Sequence, residues 1–247
     1  MKTSIDLNAD LGEIDTPEGH ASDAAILEVV SSASIACGGH AGDPATMARA
    51  VRTAHARGVR IGAHPSYPDR EGFGRTLRFA IAHEALRNSL QEQVSTLIAI
   101  AKGQGARVAY LKPHGALYND AVTDDALAAL IAGVAAHFDL PLMGAPNSRL
   151  QARARTPFLA EGFIDRAYSD SGHLVSRGQP GAVLATDAQR LKQLEILARD
   201  RAVTTASGAT LPLACDTLCL HGDSPGAIVT ARAARARLEA LGFEVRP

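Results

Sequence analysis

Residues 34–64 read SIACGGHAGDPATMARAVRTAHARGVRIGAH, and this stretch decides the fold. An apolar run, Ser34–Cys37, breaks at Gly38, Gly39 and His40. Asp43 and Pro44 then cap and open a helix through MARAVRTAHAR, Gly58 stops it, and a second apolar run, Val59–Ala63, ends at His64. Strand, helix and strand in so short a span form a crossover unit, whose strands pair in parallel with a right-handed connection.

Runs of the same kind recur outward from this unit at Thr3–Leu7, Arg107–Lys112, Pro141–Gly144, Phe158–Phe163 and Thr217–Leu220. Helical segments separate them. One opens with a capping box, Thr186 and Gln189, and the last opens at Ser224 and Pro225 and runs towards Gly242. The alternation predicts an α/β fold, a (β/α) barrel-like sheet of about seven parallel strands, closed or nearly closed, with a doubly wound open sheet as the alternative. Ala202–Ala214 breaks the pattern and reads as a hairpin or an irregular excursion. No composition shift or Ser/Pro linker divides the chain, so a single domain over 1–247 is expected.

The 247 residues carry 25 Lys plus Arg against 26 Asp plus Glu, so no charge excess draws the protein to nucleic acid or to an anionic membrane. Trp is absent and aromatics are 4%, which leaves few platforms for stacking bases. Cys37, Cys215 and Cys219 form no CxxC pair and cannot all join in disulfides, which fits a reducing compartment. Asp6, Asp10 and Glu13 stand where a secretory leader needs an apolar run, and no apolar stretch of about 18 residues comes later. A soluble, cytoplasmic protein is expected.

Function is read from the polar residues at the end of each strand. The first runs into Asp6, Asn8 and Asp10, the second into His40 and Asp43, the third into His64 and Asp69. The fourth ends in Lys112 and His114, the sixth in Asp165 and Arg166, the seventh in His221, Gly222 and Asp223. In a parallel barrel all strands point one way, so these groups should collect on the carboxyl-terminal rim, where such folds place their chemistry. One histidine after an apolar run is ordinarily a core or capping residue; four at four strand ends are a site. Alternation puts Asp6, Asn8 and Asp10 on one face, and Thr217, Cys219 and His221 on another. Gly38, Gly39 and Gly62 permit tight turns or close approach of backbone to a ligand. The turn PSYPDREGFGR adds Asp69, Arg70 and Arg75 as a substrate loop or a charged surface loop. Lys112 is a cation suited to phosphate, carboxylate or a developing oxyanion.

Other chemistries are poorly supported. The sequence has no GxxxxGK[ST], no GxGxxG after a strand, no GxSxG and no HExxH. Cys37 reads as a small buried hydrophobe rather than a nucleophile. A divalent metal held by Asp and His is chemically reasonable.

Six blocks, DLNADLGE (6–13), SIACGGHAGDP (34–44), GAHPSYPDREGFGR (62–75), LKPHGALYN (111–119), EGFIDRAY (161–168) and LCLHGDSP (218–225), resemble, in order, those of the lactam-utilisation family, the A subunits of bacterial 5-oxoprolinase. The resemblance spans nearly the whole chain. It implies a barrel related to the glycoside hydrolase and deacetylase barrels, and a part in opening 5-oxo-L-proline to L-glutamate coupled to hydrolysis of ATP to ADP and phosphate, in a complex with subunits B and C. No ATP site is located in the sequence. Asp6, Asp10, His64, Lys112, His114 and His221 are the expected catalytic set, with Asp10 or Asp6 as base and a histidine as acid. Asn8, Glu13, His40, Asp43, Asp69, Arg70, Arg75, Asp165, Arg166 and Asp223 are the expected substrate contacts. The alternatives are a metal-dependent deacetylase or amidohydrolase acting without ATP, and a non-catalytic binding subunit of the complex.

Overall fold

The structure, a computed structural model, describes residues 3–76, 81–221 and 226–247. Seven parallel strands form a ring: β1 (Ser4–Leu11), β2 (Ser32–Ala36), β3 (Arg60–His64), β4 (Val108–Leu111), β5 (Leu142–Gly144), β6 (Phe158–Phe163) and β9 (Thr217–His221). Pairing of β9 with both β6 and β1 closes it. The expected barrel is therefore closed. The Ala202–Ala214 excursion contains an antiparallel hairpin, β7 (Ala202–Thr204) and β8 (Thr210–Pro212). A two-residue strand, β10 (Glu244–Val245), pairs with Ser4 and Ile5 at the start of β1 and had no signal in the sequence.

The helices form where the punctuation placed them. Asp43 accepts from the Thr46 amide and caps α2 (Pro44–Ala56), with Pro44 in its first turn. The Thr186 and Gln189 capping box opens α7 (Asp187–Glu195). The last helix, α8, is described over Ala227–Ala240, and its expected opening at Ser224 and Pro225 lies outside the described residues. No helix among the described residues is long and apolar enough to cross a membrane.

Strand β1 explains the polar centre of the barrel. Leu7, Ala9 and Leu11 alternate outward into the apolar core, each leucine contributing about 1.5–3 kcal/mol. Asp6, Asn8 and Asp10 alternate inward, on rungs paired with Thr217, Cys219 and His221 of β9. The expectation that β1 ends near Leu7 is corrected, because neighbours on both sides keep it extended to Leu11. The expectation that Gly62 frees a turn is also corrected. It lies within β3, and a Cβ there would come within 2.1 Å of the Tyr110 ring, so the glycine makes room for that ring. Gly38, at φ 95°, does occupy the left-handed region at the end of the second strand.

Candidate functional site

The inward side chains stack in layers from the amino end of the strands to the rim. In the lowest, Asp6 accepts from Ser31, Ser32 and Thr217 at 2.6–2.7 Å and pairs with Arg60 at 2.8 Å. Four residues of strand separate it from Asp10, about 13 Å. Asp6 is thus removed from the expected rim set: its oxygens are occupied at the far end of the barrel.

The middle layer holds Lys112, 1% exposed, at 2.8 Å from Asp10 Oδ1 and 2.7 Å from Glu161 Oε1, with Asn8 Oδ1 at 3.4 Å. Burial would strip the charge from Lys112, but Asp10 and Glu161 hold its ammonium well above the ordinary lysine range. Burial would likewise raise Asp10, but His64 and Lys112 keep its carboxyl well below the usual range. A carboxylate so acidic is a poor base.

At the rim, His64 Nδ1 bonds the Lys112 carbonyl at 2.9 Å, and His64 Nε2 lies 3.4 Å from Asp10 Oδ2. His114 Nδ1 faces His64 Nε2 at 3.0 Å, and its Nε2 bonds the Phe73 carbonyl at 3.0 Å. His40 stacks on His114 with ring centroids 3.6 Å apart and bonds Glu13 at 3.1 Å. Burial, helped by the His64 and His40 rings, pushes His114 well below the ordinary imidazole value. Glu13, His40, His64 and His114 together could hold a metal ion, since their donor atoms lie within 4.8 Å of one another.

On β9, next to Asp10 in register, His221 Nδ1 lies 2.9 Å from one Asp165 oxygen and 3.1 Å from the other, and the His221 amide donates to the same carboxylate at 3.2 Å. Burial would raise Asp165; the His221 ring beside it outweighs that and lowers it. The carboxylate fixes the His221 tautomer with its proton on Nδ1, which makes Nε2 the acceptor of the ring.

These groups border a cavity of about 320 Å³ lined by Asp10, His64, Lys112, His114, Phe163 and His221 together with Arg75, Arg166 and Arg177. Burial and the charge of Arg177 bring Arg166 down to about 10, the mark of cations gathered closely. Arg166 and Arg177 come from the segment after β6, which bridges Arg166 to Val183 and Tyr168 to both Leu174 and the hairpin.

Asp43 caps α2, Asp69 accepts from Gly72 and Thr76 within its own turn, and Arg70 holds the carbonyls of Gly38 and Gly42; none of the three lines the cavity. Asp223 and Gly222 lie outside the described residues. Sequence reasoning missed Glu161, whose signal was an acid inside the apolar strand FLAEGF, and Arg177, which no periodicity marks. Burial raises Cys37 to about 12, in keeping with a buried hydrophobe.

The fold is shared with a family 4 carbohydrate esterase from Streptomyces lividans, at TM-score 0.52 and 12% identity over 98% of this chain and 91% of that one. Fold and pocket define a closed (β/α) barrel with an acid, imidazole and ammonium site at its carboxyl-terminal rim. Within that class, the lactam utilization protein from Thermus thermophilus is similar at TM-score 0.91 and 37% identity, covering 99% of both chains. The LamB/YcsF family model matches residues 5–247, and the chain belongs to that family. Relatives named as the A subunit of 5-oxoprolinase include one from Methylococcus capsulatus, 44% identical over 99% of this chain and 96% of that protein. Another, from Mycobacterium avium, is 47% identical over 98% of each.

Proposed function

We propose that this chain is the lactam-opening hydrolase subunit of an ATP-dependent 5-oxoprolinase, converting 5-oxo-L-proline to L-glutamate with partner subunits B and C. The observation that carries the reading is the cavity itself: Lys112, His64, His114 and His221, the last oriented by Asp165, line one pocket together with Arg75, Arg166 and Arg177, cations suited to a carboxylate or a phosphoryl group. The names of the relatives point to the substrate and to the other subunits.

A five-membered lactam resists water because its nitrogen lone pair feeds the carbonyl. Phosphorylation of the amide oxygen at the expense of ATP removes that resonance and leaves a better electrophile. The nucleotide belongs to the complex as a whole, since this sequence offers no phosphate-cradling loop. His221 Nε2, kept bare by Asp165, takes the proton from the attacking water. Lys112 offsets the charge of the phosphoryl group on the former amide oxygen. His221 then returns its proton to the ring nitrogen as the C–N bond breaks, and a second water hydrolyses the resulting γ-glutamyl phosphate to L-glutamate and inorganic phosphate. In this scheme Asp10 holds Lys112 and His64 in place rather than acting as base, because its carboxyl is too acidic.

Glutamate release is measured with this chain alone, with subunits B and C alone, and with all three, each with and without ATP. Only the complete mixture with ATP is expected to turn over. ATP-independent amide cleavage by this chain alone would replace the proposal with a stand-alone amidohydrolase, a reading the His and Glu cluster also favours.

A further inference from the structure

We infer that Glu13, His64 and His114 form a binding site for one divalent transition-metal ion, with Asp10 flanking the coordination position that faces the cavity. The argument rests on which nitrogens carry protons. A carbonyl oxygen can only accept, so His64 Nδ1, 2.9 Å from the Lys112 carbonyl, must be N–H. His114 Nε2, 3.0 Å from the Phe73 carbonyl, must be N–H for the same reason. His64 Nε2 and His114 Nδ1 are thereby the nitrogens that face each other, at 3.0 Å, with Asp10 Oδ2 and Glu13 Oε1 beside them. A divalent ion held by both nitrogens and by Glu13 satisfies that contact.

The surroundings point the same way. Glu13 Oε1 lies 3.4 Å from His114 Nδ1, and Asp10 Oδ2 lies 3.4 Å from His64 Nε2. Ligands about 2.0–2.1 Å from a tetrahedral ion stand about 3.3–3.4 Å from one another, so the Glu13–His114 separation suits a first-row divalent ion and the two imidazole nitrogens, at 3.0 Å, need part by only a few tenths of an ångström to hold it. Asp10 is buried and the Glu13 side chain is 8% exposed, so both carboxylates stand beside the two imidazoles with little access to water. Two imidazoles and a carboxylate are borderline donors of the zinc type. His40 holds the carboxylate: its Nε2 bonds Glu13 while its ring stacks on His114. Such an ion supplies Lewis acidity beside the pocket, and its binding does not depend on which amide is cleaved.

The test is metal content and affinity, read without any turnover assay. Full-length protein purified without chelator is analysed for bound metals, then stripped and titrated with Zn²⁺ and Co²⁺. One equivalent per chain is expected, with a visible Co²⁺ band from nitrogen coordination. Affinity should fall at least about 100-fold in His64→Gln and His114→Gln, and about 10- to 100-fold in His40→Phe through loss of its hold on Glu13. His221→Asn, which replaces none of the three ligands, should bind as the parent does. Thermal melts of the stripped proteins show whether each variant is folded. Folded parent protein that takes up neither ion overturns the inference and leaves a proton shared between the two rings. Loss of binding in His221→Asn equal to that in His114→Gln overturns the ligand set.

Discussion

Asp165→Asn offers the sharpest probe of the rim. In the parent, one carboxylate accepts both the His221 ring N–H, at 2.9 Å, and the His221 backbone N–H, at 3.2 Å. An asparagine keeps the second bond by turning its oxygen to the backbone amide, which presents its NH₂ to the ring. The His221 proton must then move to Nε2, and the lone pair that faces the pocket is lost. Volume and packing scarcely change, so the cost falls on chemistry: a wrong tautomer in an Asp–His pair lowers turnover by about 10²–10⁴. That corresponds to about 3–5.5 kcal/mol in the barrier. The assay is ATP-dependent glutamate release by the reconstituted complex, with a thermal melt to confirm the fold. The kcat should collapse while KM moves by less than about threefold. A folded Asp165→Asn protein turning over within about threefold of the parent would refute the assignment of His221 as the base.

Asp6→Asn should cost about 2–4 kcal/mol of stability, because Arg60 loses its partner and three hydroxyls lose an anion, while kcat per folded molecule stays unchanged. A stable but inactive Asp6→Asn protein would return Asp6 to the catalytic set. Burial raises Asp23, whose carboxylate accepts from the Gly12 amide, to about 6. The folded chain thus holds that proton more tightly than the unfolded chain does, so the destabilisation is absent below about pH 4 and complete above about pH 6. Asp23→Asn should therefore raise stability by about 1–3 kcal/mol at pH 8 and leave it unchanged at pH 4, in denaturant titrations at the two values. Burial raises Cys37 and Cys215 to about 12 and Cys219 well above its ordinary value. A thiol reagent at pH 8 should label none of them until denaturant is added, and rapid native labelling of Cys37 would contradict its inert role.

The barrel was legible because each crossover announces itself locally: Asp43 and Pro44 open a helix, Gly58 closes it, and an apolar run comes next. Closure of β9 onto β1 is different. It joins Asp6 to Thr217, residues 211 positions apart, and no local pattern encodes it. The same gap explains the placement of Asp6. Alternating polar residues look alike whether they line the inside of a continuing strand or the loop after it, and only the flanking strands decide. His64, Lys112, His114 and His221 were visible as polar groups ending apolar runs. Glu161 was hidden because its partner, Lys112, comes from another strand, and Asp43, Asp69 and Arg70 were overvalued because charged residues in rim loops also serve caps and turns.

The polar column inside the barrel constrains how such a sequence can change. Lys112 pairs with Asp10 and Glu161, and Asn8 bonds both Lys112 and Glu161, so replacing any one of them takes a partner from at least one buried polar group. Mutational libraries should accordingly reject single changes here and recover viable ones only as matched sets, making the column a locked combination rather than four independent tumblers.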